Sequence, residues 1–189
     1  MLRLISKHVW SNYSFIIKKN YKMKKFLLKL IIFYSFFNTL SAAEIYGFAK
    51  VIDGDTVHIK SKKIRLEGID APEIRQKCQK TILKISAIVG VNLSKKYSCG
   101  VISKEKLINK ISKFKIKCIS SSKDRYQRYL ATCYKDSINL NKWMVRSGYA
   151  VAYKRYSKDY VGDEKYAKEN KLGIWKGSFD RPEKWRKLN

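Results

Sequence analysis

The sequence has few acidic residues: 15 Asp and Glu stand against 42 Lys and Arg, which gives a formal net charge of +27 over 189 residues. This imbalance indicates a polyanionic partner, either nucleic acid, an anionic membrane surface or an acidic polymer. The alternative explanation of the charge is a low-GC genome that favours lysine codons. The sequence also lacks repeats and low-complexity linkers, so its length favours one domain with a hydrophobic core.

A long apolar run is missing as well. The N-terminal run from Phe26 to Phe37 is interrupted by Lys29 and is shorter than the roughly 20 residues that span a bilayer. The first 43 residues contain eight Lys or Arg and no Asp or Glu, and they end in small residues. This pattern predicts a signal peptide over residues 1–43, cleaved after Ala43, with Met23 as a possible true start. An uncleaved signal anchor is the alternative. We therefore expect export to the periplasm, cell surface or medium, without stable membrane insertion.

The four cysteines include no close Cys-x-x-Cys pair, which argues against a zinc site. All four follow the predicted cleavage site, as expected for two disulfides formed in an oxidising compartment. Three pairings are possible. Cys118 and Cys133 lie in two strand-like runs joined by a polar loop, so we predict the pairs Cys118–Cys133 and Cys78–Cys99.

In the body of the chain, the pattern of apolar residues predicts strands first and helices later. Three β-branched or aromatic runs predict a meander, and apolar spacing after Ser103, which is able to cap a helix, predicts the first helix. The fold class expected is α+β, a five-stranded β-barrel with about three flanking helices. The predicted strands cover residues 45–52, 56–60 and 63–69; the later helices cover residues 140–148 and 159–170; the domain covers residues 44–176, and residues 177–189 form a basic C-terminal tail.

Two carboxylates at neighbouring strand ends carry the chemical prediction. Asp55 follows a tight Asp-Gly turn, and Asp70 follows the strand that contains Arg65. Converging carboxylates with water suit a hard cation, Ca²⁺ or Mg²⁺. Glu73 is able to orient an attacking water, and His58 is expected to be a strand surface residue. Such a set points to metal-assisted phosphodiester hydrolysis.

Three segments resemble the thermonuclease (staphylococcal-nuclease-like) family: residues 51–57 (VIDGDTV), 65–73 (RLEGIDAPE) and 124–128 (DRYQR). The resemblance covers roughly residues 45–176, and the fold that it implies is an OB-type barrel. Residues 77–100 are longer than in the best-known member and contain Cys78 and Cys99, which resembles a secreted, disulfide-bearing branch.

The resemblance implies roles residue by residue. Asp55, Asp70 and the carbonyl of Ala71 would bind calcium. Glu73 would act on the nucleophilic water, and Arg65 and Arg128 would clamp the scissile phosphate. Contacts with the nucleotide are implied for Arg125, where the family has a lysine, and for Tyr126 and Tyr153.

The function expected is that of a monomeric, exported, calcium-dependent nuclease acting on DNA, RNA or both. A non-catalytic nucleic-acid-binding OB module is the main alternative, and its mark would be the loss of Glu73 or of an arginine. A basic protein bound to an anionic membrane is the third interpretation. The intact set of five charged residues, Asp55, Arg65, Asp70, Glu73 and Arg128, favours the nuclease.

Overall fold

The computed structural model describes Lys25 and residues 42–84 and 92–189, without the side chains of residues 81–84, 92 and 93. Residues 42–189 form one compact unit. The predicted leader over residues 1–43 lies almost entirely outside the described residues. In the part of the chain that is described, no helix is long and apolar enough to cross a membrane.

The described unit contains eleven strands and four α-helices. The strands are β1 (Ala43–Val51), β2 (Thr56–Ile59), β3 (Lys62–Leu66), β4 (Ile69–Asp70), β5 (Cys78–Lys84), β6 (Asn92–Tyr97), β7 (Lys115–Lys123), β8 (Tyr129–Lys135), β9 (Ile138–Asn139), β10 (Val151–Ala152) and β11 (Gly177–Ser178). The helices are α1 (Cys99–Ile111), α2 (Leu140–Arg146), α3 (Val161–Glu169) and α4 (Pro182–Leu188), with a 3₁₀ turn at Gly173–Lys176.

Five strands close into a mixed β-barrel. Their order is β3-β2-β1-β7-β8, and β8 returns to pair with β3. All neighbours are antiparallel except β3 and β8, which run parallel with Ile64 opposite Tyr129 and Leu66 opposite Ala131. The α+β prediction of an OB-type five-stranded barrel is therefore confirmed. Because the barrel is closed, each of its five strands pairs with a neighbour on both sides over at least part of its length.

The core follows the two-residue period of the barrel strands. In β7, Ile116, Cys118 and Ser120 are buried, while the residues between them are exposed. Every second side chain of a strand points to the same face, so this alternation directs one face into the barrel. The buried side chains of α1 and α2 complete the same core; they include Leu107, Ile111, Leu140, Met144 and Val145.

Two smaller sheets flank the barrel. The short strands β4 and β10 pair with each other, which places Val151 opposite Asp70. Strand β5 lies between β6 and β11 in a three-stranded sheet that the sequence did not predict. The predicted basic tail, residues 177–189, contains β11, which pairs with β5, and α4.

The first helix begins earlier than the sequence suggested. It starts at Cys99, so Ser103 lies inside it and the prediction that Ser103 caps a helix is wrong. The Ser103 hydroxyl is buried and donates a hydrogen bond to the carbonyl of Tyr149 at 2.7 Å. The contact joins α1 to the segment between α2 and β10.

The structure contains two disulfides, Cys78–Cys99 and Cys118–Cys133, which are the predicted pairs. The first joins the start of β5 to the start of α1. The second crosses between neighbouring barrel strands, where Cys118 lies directly opposite Cys133.

Candidate active site

The tight turn between β1 and β2 places Asp55 inside the site. The turn packs so closely that a Cβ on Gly54 would overlap both the Ser103 hydroxyl and the Ala71 side chain. Asp55 is 4% exposed. Its Oδ2 accepts a hydrogen bond from the backbone N–H of Ala71 at 2.9 Å, and its Oδ1 accepts one from the Thr56 hydroxyl at 3.1 Å. The carboxylate is thus held by the β4 end as well as by its own turn.

Arg65 joins the two buried aspartates. Its Nη1 lies 2.6 Å from Oδ1 of Asp55, and its Nη2 lies 3.1 Å from Oδ1 of Asp70. Strand pairing explains the approach, because Arg65 in β3 lies opposite Thr56 in β2, the residue that follows Asp55. One planar guanidinium therefore fixes the separation and orientation of both carboxylates.

The charges of this group shift one another's pKa. Burial lowers the pKa of the Arg65 guanidinium, but Asp55 and Asp70 outweigh burial and raise it. Burial also raises the pKa of Asp70 and exceeds the opposing effect of its arginine partners. At the turn, burial and the neighbouring Asp55 carboxylate raise the pKa of Asp53 to about 6. Negative charge is therefore concentrated in a poorly solvated place, which favours a cation there.

The loop that contains Glu73 is fixed from two sides. The buried Gln76 side chain accepts a hydrogen bond from the Glu73 N–H at 3.2 Å, and the Gln76 N–H donates to the Glu73 carbonyl at 2.8 Å. On the other side a Cβ on Gly100 would overlap that same carbonyl. The neighbouring Cys78–Cys99 disulfide attaches the loop's far end to α1. The Glu73 side chain itself remains 35% exposed.

A third arginine, from the C-terminal helix, enters the carboxylate cluster. Arg186 Nη1 lies 2.9 Å from Oδ1 of Asp70 and 2.9 Å from Oε1 of Glu73, while Nη2 lies 3.1 Å from Oδ2 of Asp70. The sequence analysis missed this residue. Its only local signal was a basic, aromatic C-terminus, and 116 positions separate it from Asp70.

Arg128 lies in a different group, at the loop between β7 and β8. Its guanidinium binds Asp124, with Nε at 2.8 Å and Nη2 at 2.7 Å from the same carboxylate oxygen. Burial would raise the pKa of Asp124, but the hydrogen bonds and charge of Arg128 outweigh it and lower that pKa. Within the described residues, the Arg128 guanidinium contacts Asp124 and the Tyr126 ring, and it forms no ion pair with Asp55, Asp70 or Glu73.

Arg125 and Tyr126 accompany Arg128 on this loop. The Arg125 guanidinium carbon lies 4.7 Å from the centre of the Tyr126 ring, and that of Arg128 lies 5.4 Å from it. The ring is on a side chain that is 62% exposed. The loop therefore presents an exposed aromatic ring with two guanidiniums close to it.

Tyr153 lies near the carboxylate cluster. Its backbone N–H donates a hydrogen bond to the carbonyl of Gly68 at 2.9 Å, just before β4. Burial, followed by the charges of Glu183 and Asp70, raises the pKa of its hydroxyl. The hydroxyl is therefore a neutral hydrogen-bond donor at neutral pH.

The structure brings Asp55, Arg65, Asp70 and Glu73 together, with Tyr153 nearby. Arg125, Tyr126 and Arg128 form the separate loop group. Asp55 and Asp70 offer buried carboxylate oxygens, which are the ligands that a hard cation prefers. The Arg65 guanidinium, which contacts both, fixes the separation of the two carboxylates. Within the described residues no group of three or more His, Cys, Asp or Glu side chains has the geometry to hold a metal. A cation here would therefore need backbone oxygen or water in addition.

Comparison with known proteins assigns the chain to a family. Residues 63–177 match the family described as "Staphylococcal nuclease homologue". The family match and the relatives named endonuclease and micrococcal nuclease indicate a phosphodiesterase, which is a hydrolase. The chain belongs to the staphylococcal nuclease homologue family.

Three relatives illustrate the range of the match. An "Uncharacterized endonuclease" of Haemophilus influenzae is 33% identical over 73% of this chain and 70% of its own. "Succinoglycan biosynthesis protein ExoI" of Rhizobium meliloti is 33% identical over 72% of this chain and 67% of its own. "Micrococcal nuclease" of Shigella flexneri is 26% identical over 74% of this chain and 79% of its own.

Proposed function

We propose that this protein is an exported, calcium-dependent nuclease that hydrolyses phosphodiester bonds of DNA, RNA or both, as a monomer. The observation that carries the proposal is the Arg65 guanidinium bridging two buried carboxylates, at 2.6 Å from Asp55 and 3.1 Å from Asp70. Family membership and the relatives named endonuclease and nuclease support the same activity.

Asp55, Asp70 and the carbonyl of Ala71 are the groups we assign to calcium. Oxygen ligands of this kind, completed by water, suit Ca²⁺. When bound, calcium supplies positive charge beside the phosphate oxygens. Because Arg65 contacts both aspartates in the free protein, the two carboxylates are positioned before a substrate arrives.

Arg65 and Arg128 are the groups we assign to the scissile phosphate. In phosphodiester hydrolysis, negative charge accumulates on the phosphate oxygens in the transition state, and guanidiniums lower its energy. The planar fork of arginine donates two parallel hydrogen bonds to phosphate, which lysine is unable to do. To contact the substrate, the Arg128 side chain would have to turn away from Asp124 or donate hydrogen bonds to Asp124 and phosphate at the same time.

Glu73 is the group we assign to the attacking water. Its carboxylate would accept a hydrogen bond from the water and receive its proton as the oxygen forms a bond to phosphorus. The bond from phosphorus to the leaving oxygen breaks in line, and solvent returns a proton to that oxygen. Partial exposure of the Glu73 side chain lets water reach it.

Tyr126, Arg125 and Tyr153 are assigned to the rest of the nucleotide. The exposed ring of Tyr126 offers a surface for base stacking, which is worth about 1–3 kcal/mol per base and is tolerant of sequence. Arg125 adds charge against the backbone. Weak base specificity follows from this chemistry.

Export is supported by two observations. The two disulfides are compatible with an oxidising compartment. The basic, apolar and small-residue regions of residues 1–43 have the order of a signal peptide.

The test is a nuclease assay on the purified, oxidised protein, with added calcium and with excess chelator. We expect cleavage of single-stranded DNA and RNA in calcium and none in chelator. Glu73→Gln should fold normally but lose turnover. Equal cleavage in chelator would reject calcium, and tight DNA binding without cleavage would support the non-catalytic OB module instead.

A further inference from the structure

Arg186 occupies the carboxylates that the proposed function assigns to cation and water. It contacts both oxygens of Asp70 and one of Glu73 within 3.1 Å. The Asp70 side chain is 1% exposed, whereas that of Arg186 is 34% exposed. The guanidinium thus reaches from the surface to a buried carboxylate.

Arg65 and Arg186 together occupy three of the roughly four acceptor positions of the Asp70 carboxylate. A carboxylate oxygen offers two lone pairs, and Oδ1 of Asp70 already accepts from Arg65 and Arg186. A cation that binds this oxygen must therefore displace one of the two donors. Arg65 is the less mobile of them, because it lies within a barrel strand and its side chain is 14% exposed.

The charge balance leads to the same conclusion. Three carboxylates of the described site, on Asp55, Asp70 and Glu73, contact two guanidiniums, on Arg65 and Arg186. A divalent cation placed beside both arginines would meet repulsion from each. Removal of Arg186 from the cluster leaves one more uncompensated negative charge for the cation.

The C-terminal helix is built so that Arg186 is able to leave without detaching the chain. Of the helix residues, Pro182 is buried and the others are partly or fully exposed. The segment before the helix is held firmly: the Asp180 carbonyl accepts from Gln76 at 2.7 Å, and Arg181 donates to the Ala152 carbonyl at 2.8 Å. A displaced Arg186 side chain therefore remains at the edge of the site.

Building on the proposed function, we propose that Arg186 is a further substrate-binding residue of this active site. Before cation binding it neutralises Asp70 and Glu73. The cation displaces it from Asp70, and the freed guanidinium then binds the phosphodiester backbone of the substrate. Its planar fork suits phosphate as it suits Asp70.

Calorimetric titration of the whole oxidised protein with CaCl₂, without substrate, tests the first half. Arg186→Gln should bind calcium about tenfold tighter than the wild type, because one charge-assisted contact no longer competes. Lys187→Gln is the matched control: it removes the same charge from the next position, on a side chain that is 72% exposed, and should change affinity less than twofold. Equal or weaker calcium binding by Arg186→Gln would overturn the displacement.

Steady-state kinetics in saturating calcium test the second half. Arg186→Gln should raise KM for single-stranded DNA about tenfold with kcat within a few-fold, and Arg186→Lys should restore part of the affinity because it keeps the charge without the fork. An unchanged KM would overturn the phosphate role, although the nuclease assignment would stand. If the wild type, Arg186→Gln and Lys187→Gln all failed to bind calcium in the titration, the calcium site and this proposal would both be rejected.

Discussion

Gly100 lies directly against the carbonyl of Glu73, so closely that any side chain at position 100 would overlap it. The contact connects the first turn of α1 with the loop that presents the proposed water-orienting carboxylate. The position of Glu73 is therefore set by a residue that has no chemical function of its own.

We predict that Gly100→Ala displaces the Glu73 loop. The free energy of unfolding should fall by about 1–3 kcal/mol through overpacking, and turnover should fall further than stability explains. Thermal unfolding and kcat at a temperature where both proteins are folded measure the two effects. Gly162→Ala is the control, because nothing lies within 4 Å of a Cβ there and alanine favours the helix. Full activity in Gly100→Ala would contradict this role.

Arg128→Ala should lower turnover strongly and stability little. Loss of one transition-state contact corresponds to about 3–4 kcal/mol in kcat/KM, whereas the partly exposed pair with Asp124 contributes about 0–1 kcal/mol to folding. Assays with DNA and a denaturant melt separate the two. Arg125→Ala should instead raise KM with kcat nearly unchanged. Equal kinetics of the two variants would argue against distinct roles.

Arg65→Gln should be both inactive and less stable. The substitution removes the positive charge of the guanidinium that Asp55 and Asp70 share. Their side chains are only 5% and 1% exposed, so water is unable to replace it fully. Breaking one partner of a buried ion pair typically lowers the free energy of unfolding by about 3–5 kcal/mol. Urea unfolding measures this, and Arg128→Ala is the comparison. Added calcium should recover part of the lost stability if the aspartates bind it.

The two disulfides should differ in their effect on activity. They close loops of 21 and 15 residues, so each is expected to stabilise the fold by about 3 kcal/mol in the chain-entropy model. Replacing Cys78 and Cys99 by alanine should also lower turnover, because that bridge attaches the Glu73 loop region to α1. Replacing Cys118 and Cys133 should lower the melting temperature with turnover retained in the cold. The reverse pattern would reject the positional argument.

The contacts of Glu164 with Arg181 and Lys154 should make a contribution to stability that is lost in acid. Burial would raise its pKa, but hydrogen bonds from Arg181 and Lys154 outweigh burial and lower it below the usual 4.5. Because the folded pKa lies below the unfolded value, the contribution is present above pH 4.5 and is lost as the pH falls through the folded value. Glu164→Gln should therefore be about 2 kcal/mol less stable at pH 7, with the difference shrinking as the pH falls below 4.5. Glu169→Gln, on an exposed pair, should show no such change.

The sequence predicts those parts of the site that depend on local pattern. The tight turn at Asp53 and Gly54, and the strand that carries Arg65 into Asp70, are encoded within a few residues, and alternation predicts the barrel strands around them. Arg186 depends on the pairing of β11 with β5 and on the anchoring of Asp180 and Arg181, which are contacts between distant segments. No local period records such contacts. For the same reason the sheet of β5, β6 and β11 was not predicted.

The parallel pairing of β3 with β8 constrains the order in which the barrel assembles. A ribosome releases the chain from the N-terminus, so β3 emerges about sixty residues before its partner, Tyr129 to Ala131. Until then the β1–β3 meander has β3 as an open edge, and long-range pairings of this kind form late. A nascent chain arrested before residue 129 would therefore hold a complete Asp55–Arg65–Asp70 sequence without a closed barrel around it, and would be expected to need protection from edge-to-edge association.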